Sequence, residues 1–469
     1  MSVAAGRTVA VIGGGLAGLA AGSALADAGF RVSLFDRRPY LGGRASSYEH
    51  PGTGEIVDNC QHVLLGCCTN LVDFYQRLEV ERKIRWFDEL NFIEPGGRRS
   101  VIRPSFLPAP FHSSLSFIRA KFLNAADKDA IARGLLRLSG RLPEDGDENF
   151  LQWLERQGQT EQAIERFWKP VLVSALNEEL PRMSVRYAAQ VFRESFLKCA
   201  SAGRLGIPQV PLTELYGVAG EYIRSRGGQV RLRCGVEAIR SSAQAKDVGL
   251  LAGGQEMRFD FVISSVPFEA LARILPETSE LGELRAKLAR FETSPITGIH
   301  LWFDREITEL EHAVLLDRTI QWMFNKSKLI AARAEAGGGS YLELVVSSSK
   351  SLLNQSKQEI LDLAMNELQE FFPAAGSATL VKGTVIKEVN ATYSALPGAD
   401  AYRPSATTAW PHFFLAGDWT ATGWPATMEG AVRSGYRAAE AVLHASDPGR
   451  KLKFLVADLK ASGFMRWIA

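Results

Sequence analysis

Residues 9–44 constrain this chain more than any other stretch. Val9-Ala10-Val11-Ile12 is a short continuous apolar run, the pattern of a strand buried on both faces. Gly13-Gly14-Gly15-Leu16-Ala17-Gly18 then fills the turn into a helix. In this spacing Gly13 permits the tight turn, Gly15 lets the backbone approach a pyrophosphate, and Gly18 lets helix and strand pack closely. The open amides at the helix start, at Gly15, Leu16 and Ala17, together with the helix dipole, suit phosphates. Val32 to Phe35 reads as the second strand. Asp36, at its end and 23 residues past Gly13, stands where an acidic group grips an adenosine ribose, with Arg37 beside it.

Strand, glycine turn, helix, second strand and acid all fall at the offsets of a dinucleotide site. The fingerprint alone does not choose between FAD and NAD. The next residues do: Gly42-Gly43-Arg44 resembles the extended FAD signature of the amine oxidase and phytoene desaturase superfamily. The resemblance implies that Gly43 passes close to the cofactor and that Arg44 supports its phosphates.

The chain has 469 residues, room for two or three structural units. At 46% hydrophobic and 23% charged it has a globular composition. A net charge of +2 gives no strong field for nucleic acid. Cys60, Cys67, Cys68, Cys199 and Cys234 form no CxxC pair, and no metal-ligand spacing appears. Their odd number and the lack of a secretory leader suit a reducing compartment. No apolar run reaches the ~18–20 residues of a spanning helix, so a soluble or membrane-surface protein is expected.

In Glu55 to Gly66 polar residues crowd between two apolar triplets, which suits a loop beside a buried site. Gln61 and His62 there reach either a flavin or a substrate hydroxyl, or His62 is a hydrogen-bonded core histidine. Asn70 to Leu90 reads as helical. The segment from Pro95 to Ala126 has no acidic residue but carries five Arg or Lys and many aromatics. It fits docking on anionic lipid or, equally, a lid that buries its aromatics. Residues 127–204 read as helices, with Asp127 capping one, Glu148 or Asn149 opening another, and a break at Phe167-Trp168-Lys169-Pro170. From Gly206 a helix, a Gly-Gly stop and new strands bring the chain back to the nucleotide sheet. Gly337-Gly338-Gly339 lacks a following helix and reads as a hairpin turn. His300 alternates with apolar neighbours and reads as structural.

Phe413-Phe414-Leu415-Ala416-Gly417-Asp418 is an apolar strand ending on Gly-Asp, and a helix begins near Met428-Glu429-Gly430. That helix start is placed to stabilise negative charge on a reduced flavin, with Asp418 on its ribityl or phosphate region. The tail from Arg450 to Ala469 spaces Leu452, Leu455, Val456 and Leu459 as one apolar helical face beside lysines, as for an interfacial helix.

Together these motifs resemble the FAD-dependent phytoene/squalene desaturase-like branch of the amine oxidase superfamily. Asp58-Asn59-Cys60-Gln61-His62-Val63-Leu64-Leu65-Gly66 and Ala416-Gly417-Asp418-Trp419 through Gly430 resemble bacterial hydroxysqualene dehydroxylases most closely. Cys60 departs from the usual glycine there. The resemblance implies an α/β fold: a Rossmann-like FAD-binding domain of the GR2 type, interleaved with an α+β substrate-binding domain and a helical region. The expected division is 1–90, 205–270 and 405–446 for FAD, 91–204 for the helical substrate- or membrane-facing region, 271–404 for the substrate domain and 447–469 for the amphipathic tail. It places the backbone at Val236 on the adenine. It implies reduction of hydroxysqualene to squalene and water, with FAD as cofactor. The place of His62 in a polar island inside an apolar run makes it, through Gln61 or water, the candidate acid. No second NAD(P) fingerprint appears, so electrons are expected from another protein, a diffusible reductant or a quinone. A peripheral position on the inner face of the cytoplasmic membrane follows. The runner-up is a polyprenoid desaturase, which moves hydride the other way. A flavin amine oxidase and a flavin-fold lipid-binding protein are the readings from other classes.

Overall fold

A computed structural model describes residues 6–241, 244–330, 332–333 and 338–468. Five parallel strands form the first sheet, in the order Gln229–Arg231, Arg31–Phe35, Thr8–Ile12, Phe261–Ser264 and Phe413–Leu415. Val9 pairs with Val32 on one side and Phe261 on the other, and Ile263 pairs with Phe414. The sheet is thus assembled from segments spread over almost the whole chain. Its central strands are mostly apolar because both faces are covered: Val9 and Val11 pack on helices, Ala10 and Ile12 on the side of a small antiparallel sheet that carries Val248, Leu250 and Phe259.

The helix Leu16–Asp27 is buried from Leu16 through Ala26. An all-round apolar helix needs partners on all sides. The sheet supplies one, and the helix Met428–Ser446 another. The two helices approach so closely that a methyl group at Gly435 would sit 2.2 Å from the Ala17 carbonyl oxygen. The first helix of the fingerprint and the last long helix therefore pack as one unit.

A seven-stranded sheet forms the second layer, in the order Leu380–Tyr393, Thr293–Phe303, Tyr341–Ser347, Trp322–Asn325, His312–Leu315, Leu90–Ile93 and Arg99–Ile102. Its pairs are antiparallel except His312–Leu315 with Leu90–Ile93. The helix Lys357–Phe371 packs beneath it, started by a capping box between Ser356 and Glu359. Helices between residues 114 and 197 form a wall around the buried rings of Phe150, Trp153, Trp168 and Phe192.

Several expectations are corrected. The segment Asn70 to Leu90 is α-helical only over Thr69–Arg77, with a single 3-10 turn at Glu81–Lys83; Ile84–Phe87 is a strand, held against Leu205–Pro208. Residues 91–102 belong to the second sheet rather than to a helical region. Asn124, not Asp127, caps the helix Ala125–Leu138; Asp127 answers as the third-residue partner of the box. Asn149 does open the next helix. The chain stays helical through Pro170, because a wide turn over Ile164–Trp168 runs on into Lys169–Leu176 and accommodates the proline at the junction. Gly337 lies outside the described residues.

The tail is not an amphipathic helix. Residues 451–462 run as a strap without regular structure, and only Met465–Ile468 is helical. The strap's backbone bonds go to side chains: Phe454 and Leu455 amides to Glu440, and both backbone groups of Val456 to Asn70. Phe454 is buried beside Tyr436. These fixed polar anchors outweigh the intrinsic helical spacing of the leucines.

The close helix contact gives a matched pair of substitutions. Gly435→Ala should destabilise the FAD-loaded protein by roughly 1–3 kcal/mol through overpacking. Gly217, mid-helix in Leu212–Ser225 with open space where its methyl would go, should gain roughly 0.5–1 kcal/mol as Ala. Calorimetric unfolding at one fixed FAD concentration checks both signs.

Candidate active site

The glycine turn crosses the later Gly-Gly pair. Gly13 has φ +105°, open only to glycine at low cost, and its amide donates to the Phe35 carbonyl at 2.8 Å. Gly15 bridges to Gly42, and the Gly42 amide donates to the Gly14 carbonyl at 2.8 Å. A methyl at Gly43 would meet the Gly15 Cα at 2.9 Å, whereas one at Gly15 meets nothing nearer than Gly43 Cα at 3.9 Å. Gly15 is the N-cap of Leu16–Asp27 with no side chain on the first-turn amides. Bare backbone, free amides and a helix start together fit the pyrophosphate of FAD.

Asp36 is buried at the end of its strand. Its Oδ2 accepts the Gly14 amide at 2.6 Å and its Oδ1 the Arg38 amide at 2.7 Å. Those two bonds fix the carboxylate beside the turn and leave lone pairs for ribose hydroxyls. Arg37 is exposed. Its neighbour Arg38 reaches the Gly43 carbonyl, a contact the motif reading missed. Cys234 donates its amide to the Asp36 carbonyl at 2.8 Å, which leads the chain into Val236 on this side of the site. Val236 itself starts a small antiparallel sheet rather than joining the parallel one.

Arg44 closes the site from the other end. Its guanidinium donates to Asp418 Oδ1 at 2.7 Å and to the Ala391 carbonyl at 2.7 Å. Gly417, at φ +137°, donates its amide to Ser434 Oγ at 2.7 Å, tying this turn to the helix Met428–Ser446. Thr427 caps that helix by accepting the Gly430 amide at 3.0 Å. Gly430 therefore has its amide occupied, and Met428 and Glu429 keep the open ones. The Glu429 side chain turns away. It accepts from the Asn70 and Leu71 amides and from Arg433, so it holds two helices together. Arg403, buried and not singled out from sequence, donates to the carbonyls of Asp418, Thr420 and Trp424 and so shapes the whole closing loop.

The polar island at 58–62 folds around a residue that the motifs did not flag. Lys326 is 2% exposed. Its ammonium donates to Asp58 Oδ2 and Gln61 Oε1, both at 2.7 Å, and lies 3.3 Å from Glu343. Glu343 and Asp58 are buried too. Two carboxylates around one ammonium leave a surplus negative charge out of water, which is costly. Burial therefore raises Glu343 to about 7, against the pull of Lys326. Asp58 stays below its ordinary value: burial opposes this, and Lys326, Ser47 and the Leu212 amide together prevail. A signal for the pair existed: Glu343 interrupts the apolar run Tyr341-Leu342-Glu343-Leu344-Val345-Val346.

Gln61 donates to the His62 carbonyl at 3.0 Å, so it links Lys326 to the loop backbone. His62 Nδ1 lies 2.8 Å from the Cys60 carbonyl, which can only accept. Nδ1 thus carries the proton and Nε2 is a bare acceptor. Burial lowers the His62 pKa and keeps the ring neutral. His300 is neutral as well, lowered to about 3 by burial, and its Nδ1 pairs with the Tyr341 hydroxyl at 2.8 Å, as a structural histidine would. No group of three or more metal-ligating side chains occurs among the described residues.

A parallel dinucleotide sheet with a glycine crossing and a distant Gly-Asp closure defines an FAD-dependent oxidoreductase. The chain belongs to the family described as flavin containing amine oxidoreductase, whose model it matches over residues 16–443. It is 28% identical to 15-cis-phytoene desaturase of Synechococcus elongatus, covering 94% of this chain and 96% of the relative. It is 27% identical to zeta-carotene desaturase of Synechocystis sp., covering 93% and 97%. Among solved structures, putrescine oxidase bound to putrescine superposes with TM-score 0.71 at 16% identity, covering 93% of this chain and 99% of that one. An oxidoreductase from Methanosarcina mazei gives TM-score 0.71 at 17% identity, covering 93% and 100%.

The charge cluster makes two predictions. Lys326→Met strands buried carboxylates and should cost about 3–5 kcal/mol of stability, read by denaturant unfolding. Glu343 has a folded pKa above its ordinary 4.5. Its contribution is thus complete below that value and is lost as pH rises through about 7. Glu343→Gln should flatten that part of the stability–pH curve.

Proposed function

We propose that this flavoenzyme transfers hydride at an allylic carbon of a long isoprenoid, and that it reduces hydroxysqualene to squalene and water. The cluster Lys326–Asp58–Glu343 carries the reading, because losing water from an allylic alcohol needs a proton held in a dry site near neutral pH. The motif resemblance at Asp58 to Gly66 and at Ala416 to Gly430 supports it further. FAD bound at the glycine crossing supplies the hydride when reduced. His62 Nε2 accepts the O–H of the substrate and orients it, a role that its neutral ring suits better than that of acid. Glu343, with Lys326, holds the proton that the leaving hydroxyl takes. Gln61 keeps the His62 loop in register with that cluster. Aromatic faces in the helical wall tolerate positive charge on the allylic carbons. Electrons come from a separate donor.

A second reading is desaturation of a polyprenoid such as phytoene or dehydrosqualene. The names of the curated relatives favour this direction. It needs a hydride acceptor and no acid for water loss.

Product analysis separates the two. Holoenzyme with hydroxysqualene and dithionite, without oxygen, should give a hydrocarbon lighter by one oxygen atom. Phytoene with a quinone should give no product lighter in hydrogen. The reverse outcome establishes desaturation, and peroxide released from amines in air would remove the isoprenoid substrate altogether. Glu343→Gln should keep its flavin and lose roughly 10²-fold or more in kcat, with KM changed far less.

A further inference from the structure

Two segments some 350 residues apart in sequence meet on one outer face (Phe111 and Phe464). Their rings lie 6.1 Å apart, edge to face. The Phe464 amide donates to the Ala109 carbonyl at 2.8 Å, and Met465 is buried against Ala109 and Leu197. The Ser105 amide, bonded to the His112 carbonyl, closes the loop that carries Phe106. Met465 is thus the peg that fastens the chain terminus to this loop. Its neighbours on the outside are not packed. Phe106 is 89% exposed, Trp467 88%, Ile118 64%, Phe464 54%, Phe111 51% and Ile468 43%. These make up six of the eleven large apolar side chains exposed on the described residues. Single exposed apolar residues are ordinary; a joined group with two side chains almost wholly in water is not.

The charge on these segments has one sign. Residues 95–126 contain no Asp or Glu. Arg119, Lys121 and Arg466 are exposed on the same two segments. Asp458, the only acid between residues 451 and 469, is exposed but has its charge paired with Arg433. An acidic protein surface would meet the cations but not the projecting Phe106 and Trp467. A bilayer offers both an acyl region for the rings and anionic headgroups for the cations. No helix among the described residues is long and apolar enough to cross a membrane, so the contact is one of surface insertion.

We infer that the loop 105–112, the helix Ser114–Arg119 and the terminal turn Met465–Ile468 form one docking surface for an anionic phospholipid bilayer. The Pro95–Ala126 segment and the tail then act together, joined through Met465. The inference rests on the isoprenoid reading only for its purpose, since a substrate dissolved in lipid would be met at this face. The docking itself does not depend on the substrate.

The test uses full-length holoenzyme and sedimenting vesicles of phosphatidylglycerol with phosphatidylethanolamine, against vesicles of phosphatidylcholine alone. The wild type should bind the anionic vesicles, and 1 M salt should weaken binding. Phe106→Ser with Trp467→Ser should lower the partition constant at least about tenfold, with flavin absorbance and monomer or oligomer size unchanged. Arg119→Gln with Lys121→Gln should lower binding to anionic vesicles only. Equal binding by wild type and the Phe106/Trp467 variant overturns the inference. So does absence of binding by the wild type. A dimer that falls apart in the same variant, without vesicle binding, would assign the face to a second copy instead. Turnover of detergent-dispersed hydroxysqualene should be unchanged in the variant. Loss of turnover by the wild type would count against the substrate and leave the vesicle result standing.

Discussion

The contact between Arg44 and Asp418 spans 374 residues of sequence. It joins the Gly-Gly-Arg turn of the first segment to the Gly-Asp turn of the last. Each turn bends through a positive-φ glycine. Their meeting depends on the five-stranded parallel sheet, whose neighbours come from residues 8–35, 229–264 and 413–415. Parallel pairing always requires long crossovers, and here the crossovers include the seven-stranded sheet and the helical wall. The cofactor site thus exists only when the whole chain has folded. Arg403 and Ser434 then fix the closing turn through its carbonyls and amide, which leaves the buried Asp418 carboxylate for Arg44.

The cluster around Lys326 obeys a different logic. Packing does not need it, since apolar side chains of the same size fill such a place at lower cost. Keeping two carboxylates and an ammonium away from water costs stability. The cluster also sets the loop that carries His62, because Lys326 reaches both Asp58 and Gln61. One lysine therefore connects the seven-stranded sheet, through Glu343, to the loop leaving the nucleotide domain.

Much of the nucleotide site is legible in sequence because backbone geometry dictates residue type. Only glycine serves at Gly13 and Gly43, and only a short apolar run serves as a strand covered on both faces. Asp36 and Asp418 follow from the ends of those strands. Side-chain partners across distant segments are another matter. Lys326 sits after an ordinary strand, and nothing local shows that Asp58 lies 2.7 Å away. The reach of Arg38 to the Gly43 carbonyl depends on the direction of its side chain, which sequence spacing does not give. The strands at 84–102 were hidden by apolar spacing that fits a helix equally well. The tail shows tertiary override most directly: its leucines have helical spacing, but Asn70 and Glu440 hold the backbone extended.

The central claim is that the two ends of the chain make one FAD site through Arg44 and Asp418. A double-mutant cycle on FAD affinity tests it, with Arg44→Leu, Asp418→Asn and both together, titrated onto apoprotein by flavin fluorescence. Each single change should weaken binding by at least about tenfold, and the double change should cost little more than either. Full additivity, or affinity unchanged in either single variant, would show that the ion pair is not what joins the two halves around the cofactor.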